Sequence, residues 1–405
     1  MQKEKNIADR VFLPAKLAGI SLSNRIIRSA TNEGYGDDSG RPRPELADFH
    51  ARLAKGGAGA IITGFSCVGE GSRGINHQTM IHKDEFIPDY RKIADRVHAL
   101  GTPIIMQLAH AGRQTSRAVA GARPVAPSAI RDKVFITLPR ALSTPEIERI
   151  VSDFAAAAVR AKEAGFDGIQ LHAAHGYLLS QFLSPYMNRR KDEWGGSLEN
   201  RFRIIRRIIE ECRKAVGYFP ILAKINASDT RKNGMRPGMA AQVARLLEQA
   251  GCDGVEVSCG VVEDGFNTVR VPRIPTEAML EMTDELRKLP GPLKKVVGWA
   301  IPHFAARLEP LENFNVEDAA LIKKKVGIPV IVVGGIRRLA DIRKIIEDGS
   351  ADFVAMARPF IIEPDLVMKF ASGKSVESRC INCGYCLLGI NRSPVRCYYG
   401  KLPKR

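Results

Sequence analysis

The sequence predicts an α/β fold: a single (β/α)8 TIM barrel with a loop insertion between strands six and seven and a short cysteine-rich C-terminal tail. Three observations predict it. One phrase recurs along the 405 residues, a helical pattern followed by a glycine break and a short apolar run. KGGAGAIITGF, EAGFDGIQLHAA, QAGCDGVEVSCG and EDGSADFVAMARP all carry it. The glycine ends the helix, and the apolar run is a strand buried on both faces. Second, PIIMQLAH, PILAKIN and PVIVVGG are apolar runs entered through a proline, and NRIIRSA adds one near the start. Third, helical patterns lie between most of these runs, and eight strands alternating with helices close into a barrel.

In order, the strands are expected at residues 24–30, 59–65, 103–110, 168–174, 220–226, 254–260, 329–335 and 353–359. The clearest helix, STPEIERIVSDFAAAAVRAKEAG, follows the third strand; it opens on Ser-Thr-Pro and stops at glycine. LENRFRIIRRIIEECRKAVG is the helix before the fifth. Residues 261–314 are the longest interruption, and their prolines and one helical piece, TEAMLEMTDELRKL, mark a loop insertion rather than a domain. The barrel is therefore expected over 1–370 and the tail over 371–405.

A composition of 45% hydrophobic and 26% charged residues supplies a large core. No run of 18 apolar residues occurs, so no membrane span is expected. The start, MQKEKNIADRVF, lacks an apolar core segment, so no export signal is expected and a cytoplasmic location follows. The net charge of +17 suits either nucleic acid or phosphorylated cofactors. The basic residues are spread along the chain, which favours a solvated surface and no nucleic-acid partner. A homo-oligomer is left open. Of eight cysteines, Cys67, Cys212, Cys252 and Cys259 sit singly in apolar segments as small core residues. Cys380, Cys383, Cys386 and Cys397 crowd into the last 26 positions, and without an export signal such a cluster argues for metal rather than disulfides.

Barrel active sites lie at the C-terminal ends of the strands. Here those ends are SATNE, TGFS, QLAHAGR, LHAAHGY, KINASD, EVSCG, VVGGI and MARP. Gly334 and Gly335 let a phosphate approach backbone N–H groups, and Arg358 in the next strand end can pair with it. The Gln107 amide suits a heterocycle with alternating donors and acceptors, such as the pyrimidine edge of a flavin. Lys224 places positive charge near flavin N1 and O2, or else forms a salt bridge to a neighbouring strand end such as Asp229. His172 and His175 admit three readings: metal ligands, satisfied structural histidines, or two N–H donors converging on a substrate carbonyl. No third clustered ligand accompanies them, which favours the donors, with Tyr177 beside them as a proton source.

HAAHGYLLSQFLSPYMNRRKDEWGGSLENRFR, 32 residues from His172 to Arg203, strongly resembles the signature of the Old Yellow Enzyme family of FMN-dependent ene-reductases. The resemblance runs from about Phe12 to about Pro364 and covers nearly the whole barrel. It implies noncovalent FMN, reduction of the flavin by NAD(P)H, and hydride transfer to the β-carbon of an activated alkene. Carried across by motif, His172 and His175 hold the substrate carbonyl and Tyr177 protonates the α-carbon. Gln107 and Lys224 contact the flavin ring, Ser29, Ala30, Thr31 and Gly64 line it, and Gly334, Gly335, Ala357 and Arg358 hold the phosphate. One departure is Asn32, where many ene-reductases carry a threonine or cysteine that tunes the flavin potential.

The tail departs too. Its spacing, C-x2-C-x2-C-x10-C, matches the compact run of bacterial ferredoxins with a remote fourth cysteine. It resembles the run that binds [4Fe–4S] in larger relatives such as dienoyl-CoA reductase and trimethylamine dehydrogenase. Zinc is the less favoured alternative, because C-x2-C-x2-C crowds a small tetrahedral ion, and unmetallated thiols remain a third. The chain ends eight residues after Cys397, so a cluster is expected to be structural or fed by a partner chain.

The expected partner is a small unsaturated molecule. An amine dehydrogenase or demethylase on the same scaffold is the alternative; it needs an aromatic bowl, and only 6% of the chain is aromatic. A dihydrouridine-synthase-like RNA-modifying flavoenzyme fits less well, because the tail is too short for a helical RNA-binding domain. A non-catalytic metal-binding scaffold is the remaining option.

Overall fold

The computed structural model describes residues 9–304, 308–390 and 394–400. Eight parallel strands close into a barrel: Ile26–Arg28, Ala60–Ile62, Ile104–Ala109, Gly168–Ala173, Ile221–Asn226, Gly254–Ser258, Val330–Val333 and Phe353–Met356. Closure runs through Val354 opposite Ile26 and Ile27 opposite Ala60. All eight expected strands are present at the expected places.

The helices form where the pattern placed them. Ser143 and Glu146 make a capping box at the start of helix Thr144–Glu163, with the Ser143 N–H donating to Glu146 Oε2 at 2.9 Å. That helix buries Ile147, Val151, Phe154, Ala158 and Ala161, a single face at helical spacing. It packs beside helix Leu198–Val216, which buries Phe202, Ile205, Ile209, Cys212 and Val216. The strand residues facing these helices, among them Ile169, Leu171, Ala223 and Val257, complete the outer core.

The barrel interior divides into two levels. The lower level is apolar: Ile27, Ala60, Ile62, Ile105, Leu222, Ile331 and Phe353. An antiparallel hairpin, Ala15–Leu17 with Ile20–Leu22, plugs that end with Leu17 and Leu22. The upper level is polar and faces the C-terminal mouth. Cys67, Cys212, Cys252 and Cys259 are all buried, as expected of small core residues.

The insertion differs from expectation in detail. The sequence predicts one helical piece over 276–289, whereas the chain forms Thr276–Met282 and Asp284–Arg287, followed by Gly291–Phe304. The break falls at Thr283, whose extended backbone (φ −95°, ψ 125°) ends one helix and caps the next. The tail folds back onto the barrel mouth. Val395 N–H donates to Glu33 O at 2.9 Å, and Ser378 N–H to Arg337 O at 3.0 Å. The buried carboxylate of Glu363 accepts from Arg379 N at 2.6 Å and Ser378 Oγ at 3.1 Å. No described helix is long and apolar enough to cross a membrane.

Candidate active site

The turn after strand four explains the order His-Gly-Tyr. His175 and Gly176 both take left-handed backbone conformations, at φ 60° and 80°. A Cβ on Gly176 would lie 2.3 Å from Gln114 Nε2, so glycine is required there. The His175 conformation is held on both sides: its N–H donates to Asn226 Oδ1 at 3.0 Å, and its carbonyl accepts from Val262 N–H at 3.1 Å. The strained residue thus aims its ring at that of His172, with centroids 5.1 Å apart and planes at 88°. Tyr177 follows, its ring 4.8 Å from His172 and 4.9 Å from Phe65.

Burial keeps both imidazoles neutral. It pushes His172 well down, helped by His175 and Lys224, and takes His175 down to about 3, with Lys224 adding to the effect. Nε2 of His175 is engaged by Ser258 Oγ at 2.8 Å, which leaves Nδ1 for a ligand. Nδ1 of His172 is buried without a hydrogen-bond partner. Burial pushes the Tyr177 phenol up, so it stays protonated at neutral pH.

Below the histidines lies a hydrogen-bonded polar floor. Gln107 Nε2 donates to Gln170 Oε1 at 2.6 Å, and Gln170 Nε2 donates to Glu256 Oε2 at 2.7 Å. Ser29 Oγ donates to Glu256 Oε1 at 2.5 Å and accepts from Lys224 Nζ at 2.9 Å. Lys224 Nζ pairs with Glu256 Oε1 at 3.2 Å. Lys224 therefore does form a salt bridge, but to Glu256 on the adjacent strand rather than to Asp229. The Asp229 carboxylate is taken by the N–H groups of Arg231 and Met235, both at 2.9 Å.

A cavity of about 550 Å³ spans the mouth and gathers almost every residue singled out from the sequence: Ser29, Ala30, Thr31, Asn32, Gln107, His172, His175, Tyr177, Lys224, Gly334, Gly335, Ala357 and Arg358. Its size is that of a cofactor or ligand site. Gly64 is absent from its wall; Thr31 O and the Glu33 carboxylate press where a Cβ would be, so Gly64 lets the first strand end pack closely. Gly335 is left-handed at φ 71°, and Gly334 lies at φ 149° with Asn315 and Phe314 where a Cβ would stand, so neither place accepts a side chain.

Sequence reasoning missed several wall residues. Val134, Phe266 and Phe314 come from loops, and Asn382, Leu387 and Leu388 come from the tail. No periodic signal marks loop residues. The floor residues Gln170 and Glu256 were legible: polar side chains recur at every second position in GIQLHA and GVEVS, the pleat period of a strand with one polar face.

Arg358 sits between two sites. It lines the main cavity and also a second one, walled by Cys380, Cys383, Cys386 and Cys397 together with Tyr385 and Tyr398. Its guanidinium donates to Val269 O at 2.8 Å and Asn382 O at 3.4 Å. Among the described residues, no three His, Cys, Asp or Glu side chains converge closely enough to hold a single metal ion.

Fold and site together define a barrel enzyme with a cofactor-sized cavity at its C-terminal mouth. Residues 10–258 and 274–377 match the NADH:flavin oxidoreductase / NADH oxidase family, and the chain belongs to it. It is 35% identical to an NADH oxidase from Thermoanaerobacter brockii over 94% of this chain, but spans only 53% of that protein's length. It is 32% identical to a 4,4'-dithiodibutanoate disulfide reductase from Rhodococcus erythropolis, covering 93% of this chain and 92% of the relative. In fold it resembles the old yellow enzyme homologue from Zymomonas mobilis, at 23% identity and a TM-score of 0.74, covering 98% of this chain and 99% of that one.

Proposed function

We propose that the protein is an FMN-dependent NAD(P)H oxidoreductase that reduces activated alkenes. The observation that carries this reading is the convergence of two neutral histidines and a protonated tyrosine above a floor that presents Gln107 and Lys224. Bound FMN would take hydride from NAD(P)H and deliver it to the β-carbon of an enone, enoate or enoyl thioester. His172 and His175 hold the carbonyl oxygen and stabilise the negative charge that develops on it. Tyr177 gives its proton to the α-carbon. Gln107 and Lys224 hold the flavin's pyrimidine edge, Ser29, Ala30 and Thr31 line the ring, and Gly334, Gly335, Ala357 and Arg358 take the phosphate.

The cavity disfavours the amine dehydrogenase alternative. Phe65, Tyr177, Phe266 and Phe314 do supply aromatic walls, but among the described residues no carboxylate lines the cavity, whereas Lys224 and Arg358 do. A cationic amine would find no counter-charge among these lining residues, whereas a carbonyl compound needs none.

The test is anaerobic spectroscopy. The purified protein is expected to show flavin bands that bleach with NADH or NADPH and recover on adding cyclohexenone. Flavin that bleaches but fails to recover with any enone, enoate or enoyl thioester refutes the alkene assignment.

The cysteine-rich tail, 371–405, belongs to this reading as an appendage of the barrel at 1–370. Cys380, Cys383, Cys386 and Cys397 wall one cavity beside the Arg358 guanidinium, a cation suited to balancing thiolates. A [4Fe–4S] cluster spaces its thiolates more widely than a zinc ion, whose sulfurs lie at about 2.3 Å from the metal. The C-x2-C-x2-C-x10-C spacing favours the cluster. Metal analysis is expected to find iron and acid-labile sulfide in matching amounts; zinc alone, or no metal, refutes it.

A further inference from the structure

We infer that Glu256 is a positioning residue for the flavin site: its carboxylate holds the Lys224 side chain as a cation and, through Gln170, orients the amide of Gln107. The inference rests on the reading that FMN lies with its pyrimidine edge against Gln107 and Lys224.

Glu256 is fully buried, at 0% exposure, and Lys224 is at 2%. It is the one carboxylate in the floor network, and each of its oxygens has defined partners. Oε1 takes Ser29 and Lys224, and Oε2 takes Gln170. A carboxylate only accepts hydrogen bonds, so Gln170 must turn its NH2 toward Glu256 and its oxygen toward Gln107. Gln107 must then spend an N–H on Gln170, which leaves its own carbonyl oxygen free to accept from a ligand in the cavity it lines. The flavin N3–H is such a donor. One carboxylate thereby dictates, two residues away, which end of the Gln107 amide a cofactor meets.

The second arm concerns charge. Burial drives the Lys224 ammonium toward its neutral form, Arg28 adds to that, and Glu256 opposes both. Glu256 is the carboxylate in contact with Lys224. With the carboxylate gone, an ammonium closed off from water has only the Ser29 hydroxyl beside it and gives up its proton. The positive charge that favours reduced flavin would go with it.

The test uses the FMN-bound full chain and the isosteric variant Glu256→Gln. The two-electron reduction equilibrium of the flavin, measured against a reference dye, is expected to shift at least tenfold toward the oxidised form, about 30 mV. Glu256→Asp should restore most of the shift. Adding Lys224→Gln to Glu256→Gln should change the potential little, since the lysine is already neutral. A potential that is unchanged or more positive in Glu256→Gln overturns the inference. Should that variant fail to fold, Gln170→Leu tests the other arm: FMN should dissociate at least tenfold more readily, and unchanged FMN affinity overturns the inference. A wild-type chain that binds no FMN overturns the flavin reading and this inference together; a flavin-bearing wild type with unaltered variants overturns only the inference.

Discussion

Replacing Tyr177 with phenylalanine is expected to slow reoxidation of the reduced protein by cyclohexenone by about 10²-fold or more, the usual worth of a positioned general acid. Reduction by NAD(P)H should change little, because that half-reaction needs no proton at the alkene carbon. Burial keeps the Tyr177 phenol protonated. It therefore yields its proton only to a strong base such as the carbanion formed next to the carbonyl. The ring contacts with Phe65 and His172 survive the change, since phenylalanine keeps the ring. Stopped-flow measurement of the two half-reactions separates the outcomes. Equal slowing of both would show that Tyr177 shapes the cavity instead of delivering a proton.

Arg113→Ala is expected to cost about 3–5 kcal/mol of stability, the penalty for leaving buried charges unpaired. The Arg113 side chain is at 1% exposure and pairs with Glu263 at 2.9 Å and Asp132 at 3.7 Å, both carboxylates at 1% or less. Glu263 lies in the loop after strand six, and Asp132 in the long loop after strand three. The Asp132 carboxylate also accepts the N–H groups of Val134 and Phe135, each at 2.9 Å, which fixes the turn that lays Val134 over the cavity. Tyr186 stacks under Arg113 and Arg231 at 5.7 and 5.9 Å, so the clasp joins loops from four strand ends. Urea denaturation measures the loss, and a drop below about 1 kcal/mol would show that solvent already serves these charges. Arg113→Lys should recover only part of the loss, because an ammonium cannot span two carboxylates as a planar guanidinium does.

Much of the molecule was legible in the sequence because its signals are local. A glycine or proline before seven of the apolar runs, with NRIIRSA as the eighth, located the strands, and the run from His172 to Arg203 located the His-Gly-Tyr turn and the family. Even the break at Thr283 lies within a segment correctly assigned to the insertion. Other features were not local. Lys224 was assigned to the flavin edge, with a salt bridge to a strand end such as Asp229 as the alternative reading; the ion pair it makes is to Glu256, which stands opposite it on the neighbouring strand. Gly64 was carried to the flavin wall with the family motif; where a Cβ would lie, Thr31 O and the Glu33 carboxylate of the first strand's end press against it.

The sequence by itself determined the barrel, its active end, and the residue types gathered there, because strand pleat, helix caps and turn glycines are short-range properties of the chain. Only the tertiary structure decided which of those residues touch. Closing the sheet sets the stagger between neighbouring strands, and that stagger brought Gln107, Gln170, Lys224 and Glu256 from four strands, and Ser29 from just past the end of a fifth, into one network. Chain folding over the mouth likewise placed Asn382, Leu387 and Leu388 of the tail in the wall of the cavity. Such contacts depend on distances between segments far apart in the chain, which no local pattern records.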